Sequence, residues 1–219
     1  LLVSVNQAWP AGQWGALDMA DGACGGVRAL TVARVVALGI IAALLTAGMP
    51  SPSSAAPKLS VLYSFKGGND GALVYGNLVA GPDGTLYGTT NAGGGTGFGT
   101  VFKLTPPAAP GGAWKETVLH VFNDDADGFR PEAGLIIDAD GALYGTTTQG
   151  GDLVSCESGC GVVFKLTPPG APKGKWKYSV LYRLTYPGGE NAFGGVVMDS
   201  AGALYGTAWQ GGAGGMGVV

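Results

Sequence analysis

The chain has 219 residues, of which 42 are glycine, and only 12% of its residues are charged. The glycines follow no Gly-X-Y period, which excludes collagen, and an apolar fraction of 46% is too high for wholesale disorder. The formal net charge is −3 and no stretch forms a basic stripe, so we expect no nucleic-acid partner.

The N-terminal part of the chain is typical of an export signal. Residues 35–48 form a short apolar stretch that follows two arginines and precedes a run of small residues. This order predicts a secretory signal peptide over residues 27–56, with a helical apolar segment and cleavage after Ala55. A membrane anchor is the alternative, but the strongly apolar part is shorter than the roughly 20 residues that a spanning helix needs. We therefore expect a secreted or cell-surface protein that contacts the membrane only through this segment.

Residues 1–26 precede the basic flank of the signal, where a signal peptide would ordinarily begin. They show no periodicity and match no other part of the chain. We expect them to be unstructured, with the true translation start near Met19 or Val27.

Residues 57–219 form a domain in which one sequence unit recurs. The tetrapeptide Leu-Tyr-Gly-Thr occurs at Leu86–Thr89, Leu143–Thr146 and Leu204–Thr207. Longer matching units surround the three copies and divide the domain into 61–117, 118–179 and 180–219, the last of them incomplete. Recurrence at a fixed period indicates an array of one supersecondary module.

Each unit holds four short runs of Val, Ile, Leu, Tyr and Phe, which Gly, Pro, Asp or Asn separate. This pattern predicts four strands joined by turns. Within residues 163–167, Phe and Leu alternate with Lys and Thr, which is the period of a strand. Four strands are the content of one propeller blade, so we predict an all-β fold, a partial β-propeller of four-stranded antiparallel blades. A β-solenoid and a β-sandwich are the alternatives.

The expected strand order places the strand before the Asp-Gly turn innermost, followed by the Leu-Tyr-Gly-Thr, Val-Phe-Lys-Leu and Val-Leu-Tyr strands. Antiparallel alternation then brings the two longer connections of each unit to one rim. These connections are residues 66–76, 91–99, 123–133, 149–161, 185–194 and 209–215. Loops on a rigid scaffold commonly carry function, so polar and aromatic residues there are our ligand-binding candidates. They are Asp70, Asp127, Arg130, Glu132, Gln149, Glu190 and Trp209.

An open array of this kind exposes strand edges at its two ends. We expect further blades or self-association to cover them.

Cys156 and Cys160 lie in a loop insertion that only the second unit has. In an exported protein this spacing predicts a small disulfide loop, with a free thiol pair as the alternative. A metal site would need two further ligands that the sequence does not supply, so we predict no metal.

We find no candidate catalytic residue and no cofactor motif. The single histidine, His120, occupies the place of Tyr63 and Tyr182 in the other units, which favours a packing role. Residues 123–128 resemble the start of a calcium loop but lack its closing glutamate. The Asp-Gly stretches that end at Gly84, Gly141 and Gly202 are typical of hairpin turns.

Residues 61–219 resemble the GloVer tandem repeat. The resemblance rests on a combined pattern of Val-Leu-Tyr, then Asp-x-x-Gly-x-Leu-Tyr-Gly-Thr, and then Val-Phe-Lys-Leu-Thr-Pro. This family consists of exported bacterial proteins described as choice-of-anchor. The resemblance implies a propeller-like array, varied surface attachment and no established activity. We therefore expect a binding or surface-display module for a cell-surface glycan or protein. An exported lyase or hydrolase acting on a glycan or small molecule, and a purely structural surface repeat, are the alternatives.

Overall fold

The computed structural model describes residues 3–5, 59–123, 125–171 and 174–219. In these ranges the chain is all-β, with strands, two single-turn 3-10 helices at Gly68–Asp70 and Asp125–Asp127, and no α-helix. Nothing helical among these residues has the length and apolar character that a membrane span requires. The signal segment predicted over residues 27–56 lies outside the described residues.

Two short strands lie outside the repeat sheets, Val3–Val5 (β1) and Leu59–Val61 (β2). Strand β1 lies within residues 1–26, of which only Val3–Val5 belong to the described residues. The sequence Val-Ser-Val alternates β-branched and polar residues, which suits a strand, but the run is too short to stand out in the sequence.

Two four-stranded antiparallel sheets follow, and each takes its strands in chain order. The first contains β3 (Val79–Ala80), β4 (Leu86–Thr90), β5 (Thr100–Thr105) and β6 (Lys115–Val121). The second contains β7 (Ile136–Ile137), β8 (Leu143–Thr146), β9 (Val162–Thr167) and β10 (Lys177–Arg183). A two-stranded antiparallel sheet of β11 (Val196–Met198) and β12 (Leu204–Gly206) comes last. The predicted order of neighbouring strands is confirmed in both four-stranded sheets.

The sheets are offset from the sequence units. The boundaries drawn at 117/118 and 179/180 fall inside β6 and β10, because the run that opens a sequence unit closes the preceding sheet. We therefore number the structural repeats from rim loop to last strand. The first repeat is 66–122, the second is 123–184 and the third is 185–219.

Strand β9 shows how the sequence pattern produces the sheet. Val162, Phe164 and Leu166 are buried, while Lys165 between them is partly exposed. This is the predicted period-two alternation, in which successive side chains point to opposite faces. Prolines follow the strand directly, and a residue without an N–H group cannot extend the hydrogen-bonded ladder.

One apolar cluster connects the two four-stranded sheets. Its fully buried members come from both, namely Val101 and Phe122 from the first repeat and Leu143, Val162, Phe164 and Leu166 from the second. The ring centroids of Phe122 and Phe164 lie 5.4 Å apart in an edge-to-face arrangement. Neighbouring sheets therefore share one core, as stacked repeats that cannot bury their faces alone must do.

Equivalent hydrogen bonds join successive repeats. The hydroxyl of Thr89 donates to the carbonyl of Ala133 at 3.0 Å, and the hydroxyl of Thr146 donates to the carbonyl of Gly194 at 3.0 Å. Thr89 and Thr146 hold the same position in their repeats, as do Ala133 and Gly194. The junction between the first and second repeats is thus repeated between the second and third.

Thr146→Val should lower the free energy of unfolding by about 1–2 kcal/mol. The buried hydroxyl also donates to the carbonyl of Ala192 at 3.2 Å, and valine keeps the shape while leaving both carbonyls without this donor. Thr207→Val is the matched control, because Thr207 is the exposed counterpart in the third repeat. Urea unfolding of both variants measures the difference, and equal losses would contradict a junction role for Thr146.

Candidate functional site

The two longer connections of each repeat meet at the same edge of its sheet. One isolated antiparallel bridge joins them in every repeat, Ala72 to Ala92, Phe129 to Gln149 and Glu190 to Gln210. The predicted clustering of these connections is therefore confirmed. We call the surface formed by residues 66–76, 91–99, 123–133, 149–161, 185–194 and 209–215 the loop rim.

A residue with positive φ follows each bridge and fixes the rim backbone. These residues are Leu73, Arg130 and Asn191, with φ of 59°, 56° and 57°. Their carbonyls accept hydrogen bonds from the backbone N–H groups of Asn91, Thr148 and Trp209 at 2.9, 3.2 and 3.1 Å. Since non-glycine residues adopt this conformation at a cost, its recurrence indicates that the surrounding hydrogen bonds impose it.

Two of the predicted rim carboxylates lie at junctions between repeats. Glu132 accepts a hydrogen bond from the side-chain amide of Asn91 at 3.0 Å, which links the second repeat to the first. Glu190 approaches the second repeat, with its Oε2 atom 3.0 Å from Sγ of Cys156. At the loop rim, Glu132 is thus hydrogen-bonded across one junction, and Glu190 makes a contact across the next.

The structure joins Cys156 and Cys160 in a disulfide, with Cα atoms 5.3 Å apart. A disulfide sulphur carries no proton, so the approach of Glu190 to Cys156 is a contact and not an S–H hydrogen bond. The two sulphurs and the carboxylate lie within 4.8 Å of one another, as metal ligands would. Metals bind the thiolate form of cysteine, so the group in its disulfide form is a loop closure and not a metal centre.

The two predicted aspartates have different roles. Asp70 accepts hydrogen bonds from the hydroxyl of Tyr63 and the backbone N–H of Lys66, each at 3.0 Å. Asp127 presents its backbone carbonyl to the hydroxyl of Tyr178. Asp70 therefore connects the rim to the segment that precedes the first repeat, and Asp127 connects it to strand β10.

The other predicted candidates contribute through the main chain or through exposed rings. The backbone N–H of Arg130 donates to Phe98 of the preceding repeat at 3.0 Å, and Gln149 belongs to a rim bridge. The side chain of Trp209 is 63% exposed and packs edge-to-face on Phe193, with centroids 5.9 Å apart. Within the described ranges, no hydrogen bond or ion pair joins two of the seven candidate side chains. The candidates thus form a distributed surface.

His120 has the packing role that the sequence favours. Its ring stacks in parallel on Tyr178 at 3.9 Å and meets Phe122 edge-on at 4.8 Å. Burial disfavours the charged imidazolium and lowers the pKa of His120 to about 4. The imidazole is therefore neutral at physiological pH and acts as an aromatic side chain.

Sequence reasoning missed an ionisable cluster that joins Glu116 and Asp70 of the first repeat to Tyr63 just before it. Burial, and then the charge of Asp70, raise the pKa of Glu116 to about 7. Burial, and then the hydrogen bond to Asp70, raise the pKa of Tyr63 to about 12. Glu116 Oε1 and Asp70 Oδ1 are buried and have no hydrogen-bond partner among the described residues. Comparison of the repeats could have found Glu116, because Tyr178 occupies the same position in the second.

Glu116 and His120 should give opposite pH dependences of stability. The folded-state pKa of Glu116 is raised from 4.5, so its contribution is present below pH 4.5 and is lost as the pH rises to about 7. The folded-state pKa of His120 is lowered from 6.5, so its contribution is present above pH 6.5 and is lost as the pH falls to about 4.

In Glu116→Gln only the contribution of His120 to the pH dependence remains. We therefore expect the Tm of this variant to rise with pH between about 4.5 and about 7 more steeply than in the unsubstituted protein. His120→Phe should show the reverse, a Tm that falls over this interval. Thermal unfolding from about pH 4 to about pH 8 measures both, and parallel curves for the two variants would contradict the assignment.

Comparison with family models places the repeats of this chain in a known family. The family model described as the Gloeobacter/Verrucomicrobia repeat matches residues 51–219. A search of curated proteins finds no match to the chain.

Proposed function

The chain belongs to the Gloeobacter/Verrucomicrobia repeat family, which confirms the resemblance to the GloVer repeat, and from this premise we propose an exported propeller-type module that binds a ligand on its loop rim. The ligand class is a glycan or a protein at the cell surface.

The observation that carries this proposal is a constant rim backbone with changing side chains. The same bridge and the same positive φ recur in all three repeats, yet the residue at positive φ is Leu73, Arg130 or Asn191. If these positions served packing alone, the same conformation would favour the same side chain in each repeat. A fixed scaffold that presents varied side chains on loops is the usual design of a binding surface.

Exposed aromatic rings on the rim suit both proposed ligand classes. Tyr75 is 60% exposed and Trp209 is 63% exposed, and Phe193 lies beside the indole. Such rings offer an apolar face together with a polar edge, which favours contact with sugar rings or with partner proteins.

The propeller arrangement is supported by the equivalence of the two junctions between repeats. Hydrogen bonds from Thr89 and from Thr146 cross them at the same repeat positions. A constant step from repeat to repeat is what radial repetition of blades requires.

Export is supported by the apolar stretch behind two arginines at residues 35–48. We expect N-terminal sequencing of the secreted protein to begin at Ala56. A mature product that retains Leu1 would contradict this part of the proposal.

A glycan array, followed by titration calorimetry on each hit, tests the rim as a binding surface. Trp209→Ala should weaken binding at least about tenfold, as loss of an exposed aromatic contact of about 1.4 kcal/mol would. Tyr182→Ala is the matched control, because Tyr182 is comparably exposed at 57% but lies on strand β10. Equal weakening by both variants would place the ligand elsewhere. Turnover of a bound glycan would favour the lyase or hydrolase alternative.

A further inference from the structure

The two junctions between repeats have the same backbone at the loop rim but different side chains. At the first junction the carbonyl of Phe98 accepts a hydrogen bond from a backbone N–H of the following repeat at 3.0 Å. At the second junction the carbonyl of Cys160 does the same, also at 3.0 Å. Cys160 therefore holds the place of Phe98. Glu190 likewise holds the place of Phe129, since each forms the rim bridge of its repeat.

The side chains at these equivalent places differ in chemistry. Phe98 and Phe129 pack edge-to-face with ring centroids 5.0 Å apart, so the first junction is apolar. The second junction brings a carboxylate to sulphur, with Oε2 of Glu190 lying 3.0 Å from Sγ of Cys156 beside the fully buried Cys160. A disulfide sulphur carries no proton, so it offers the carboxylate no donor. The contact is better explained by a state in which both sulphurs are reduced.

Backbone hydrogen bonds hold the three residues in place without help from the disulfide. The N–H of Gly159 donates to the carbonyl of Cys156 at 2.9 Å, and Cys160 is held by its hydrogen bond to the third repeat. The backbone of Glu190 exchanges two hydrogen bonds with Gln210, at 3.0 and 3.2 Å. Reduction of the bridge therefore leaves both sulphurs close to the carboxylate.

The three side chains suit zinc when the sulphurs are reduced. Their ligand atoms lie within 4.8 Å of one another, and a tetrahedral zinc ion separates such atoms by roughly 3.5–3.8 Å. Thiolates select zinc over calcium and magnesium, and two buried thiolates beside a carboxylate are costly without a cation. A water completes the four ligands, as in other zinc sites with three protein ligands. The cysteine spacing does not indicate this set, because Glu190 lies 34 residues from Cys156 in the chain.

We propose that the dithiol form of Cys156 and Cys160 binds a zinc ion together with Glu190, and that the disulfide is the oxidised, metal-free form of this site. The disulfide takes up two electrons and two protons from an external dithiol, which becomes a disulfide in turn. The two thiols release their protons to solvent as the zinc ion binds. An external disulfide reverses both steps. The zinc ion links the second repeat to the third, and the site does not depend on the ligand proposed for the loop rim.

Cobalt binding to the full chain tests the proposal, because thiolate ligands give Co²⁺ an intense charge-transfer absorption that disappears when Zn²⁺ displaces it. The protein carries Cys24→Ser, which leaves Cys156 and Cys160 as its only cysteines. It is reduced with a phosphine and desalted under nitrogen. We expect the reduced protein to bind a single Co²⁺ ion per chain with this absorption and to exchange it for Zn²⁺. The disulfide form should bind neither ion.

Two glutamine variants locate the third ligand. Glu190→Gln should weaken Co²⁺ binding at least about tenfold, because the neutral amide replaces a charged oxygen ligand. Glu132→Gln is the matched control and should bind normally, since Glu132 lies at the other junction, where it is hydrogen-bonded to Asn91. Circular dichroism of the reduced proteins should show the fold of the disulfide form.

Four results would each overturn the proposal. They are loss of the fold on reduction, no thiolate absorption with Co²⁺, equal Co²⁺ binding by the disulfide form, and equal affinity of the two glutamine variants. Absence of the thiolate absorption in a folded, reduced chain would leave Glu190 as no more than an acceptor for the Cys156 thiol.

Discussion

Gly161→Ala should lower the free energy of unfolding by at least about 3 kcal/mol, or prevent folding altogether. Gly161 lies directly before strand β9 and has a φ of 99°, which costs an L-residue about 1–2 kcal/mol. A Cβ atom there would also overlap the backbone carbonyl oxygen of Thr147, and overpacking adds about 1–3 kcal/mol. The carbonyl oxygen belongs to the backbone directly after strand β8, so it cannot turn away as the end of a flexible side chain can.

Gly202→Ala separates the cost of the positive φ from the cost of the steric overlap. Gly202 has a similar positive φ of 84°, but no atom lies within 4 Å of an added Cβ atom. It should therefore lose only the conformational contribution, about 1–2 kcal/mol. Urea unfolding of both variants measures the difference between their free energies of unfolding. Equal losses would show that the overlap with Thr147 contributes nothing to the destabilisation.

A glycine also lies close to a backbone carbonyl oxygen in the first repeat, where a Cβ atom on Gly99 would overlap the oxygen of Thr90. These glycines mark the point where the rim loop returns to the sheet and the backbones come closest. The rim loops differ in length and sequence between the repeats, yet they return at the same place. A rigid return point explains how the 149–161 insertion with its disulfide fits into the second repeat without displacing strand β9.

The strand order could be predicted from the sequence because each strand carries its own signal. Asp138 and Gly141 define the first turn, and the structure shows Asp138 Oδ1 accepting from the backbone N–H groups of Asp140 and Ala142 at 3.0 and 2.8 Å. Alternation and proline then define the strand that ends at Thr167. These signals are local, so they can be read without a partner strand.

Contacts between repeats could not be predicted in the same way. Glu132 meets Asn91 across a sequence separation of 41, and no local pattern in either loop indicates the other. The high pKa of Glu116 on strand β6 likewise arises from burial and from Asp70, which lies in the rim loop 66–76. The placement of Phe164 opposite Gly145 follows from ladder register, which the sequence predicts only once the strand pairs are known.

Phe164→Ala should lower the free energy of unfolding by about 3–5 kcal/mol, the range for deleting a buried aromatic side chain. Phe164 is fully buried in the cluster that both sheets share, and its ring lies 5.6 Å from Tyr178 as well as near Phe122. Because the cluster spans two repeats, the substitution should destabilise both sheets together. Unfolding should therefore remain a single transition. Denaturant unfolding monitored by fluorescence and circular dichroism measures both features.

Phe193→Ala is the matched control, since this ring is 48% exposed on the loop rim and should cost less than about 1 kcal/mol. A cost below about 1 kcal/mol for Phe164→Ala would contradict its place in the core that the two sheets share.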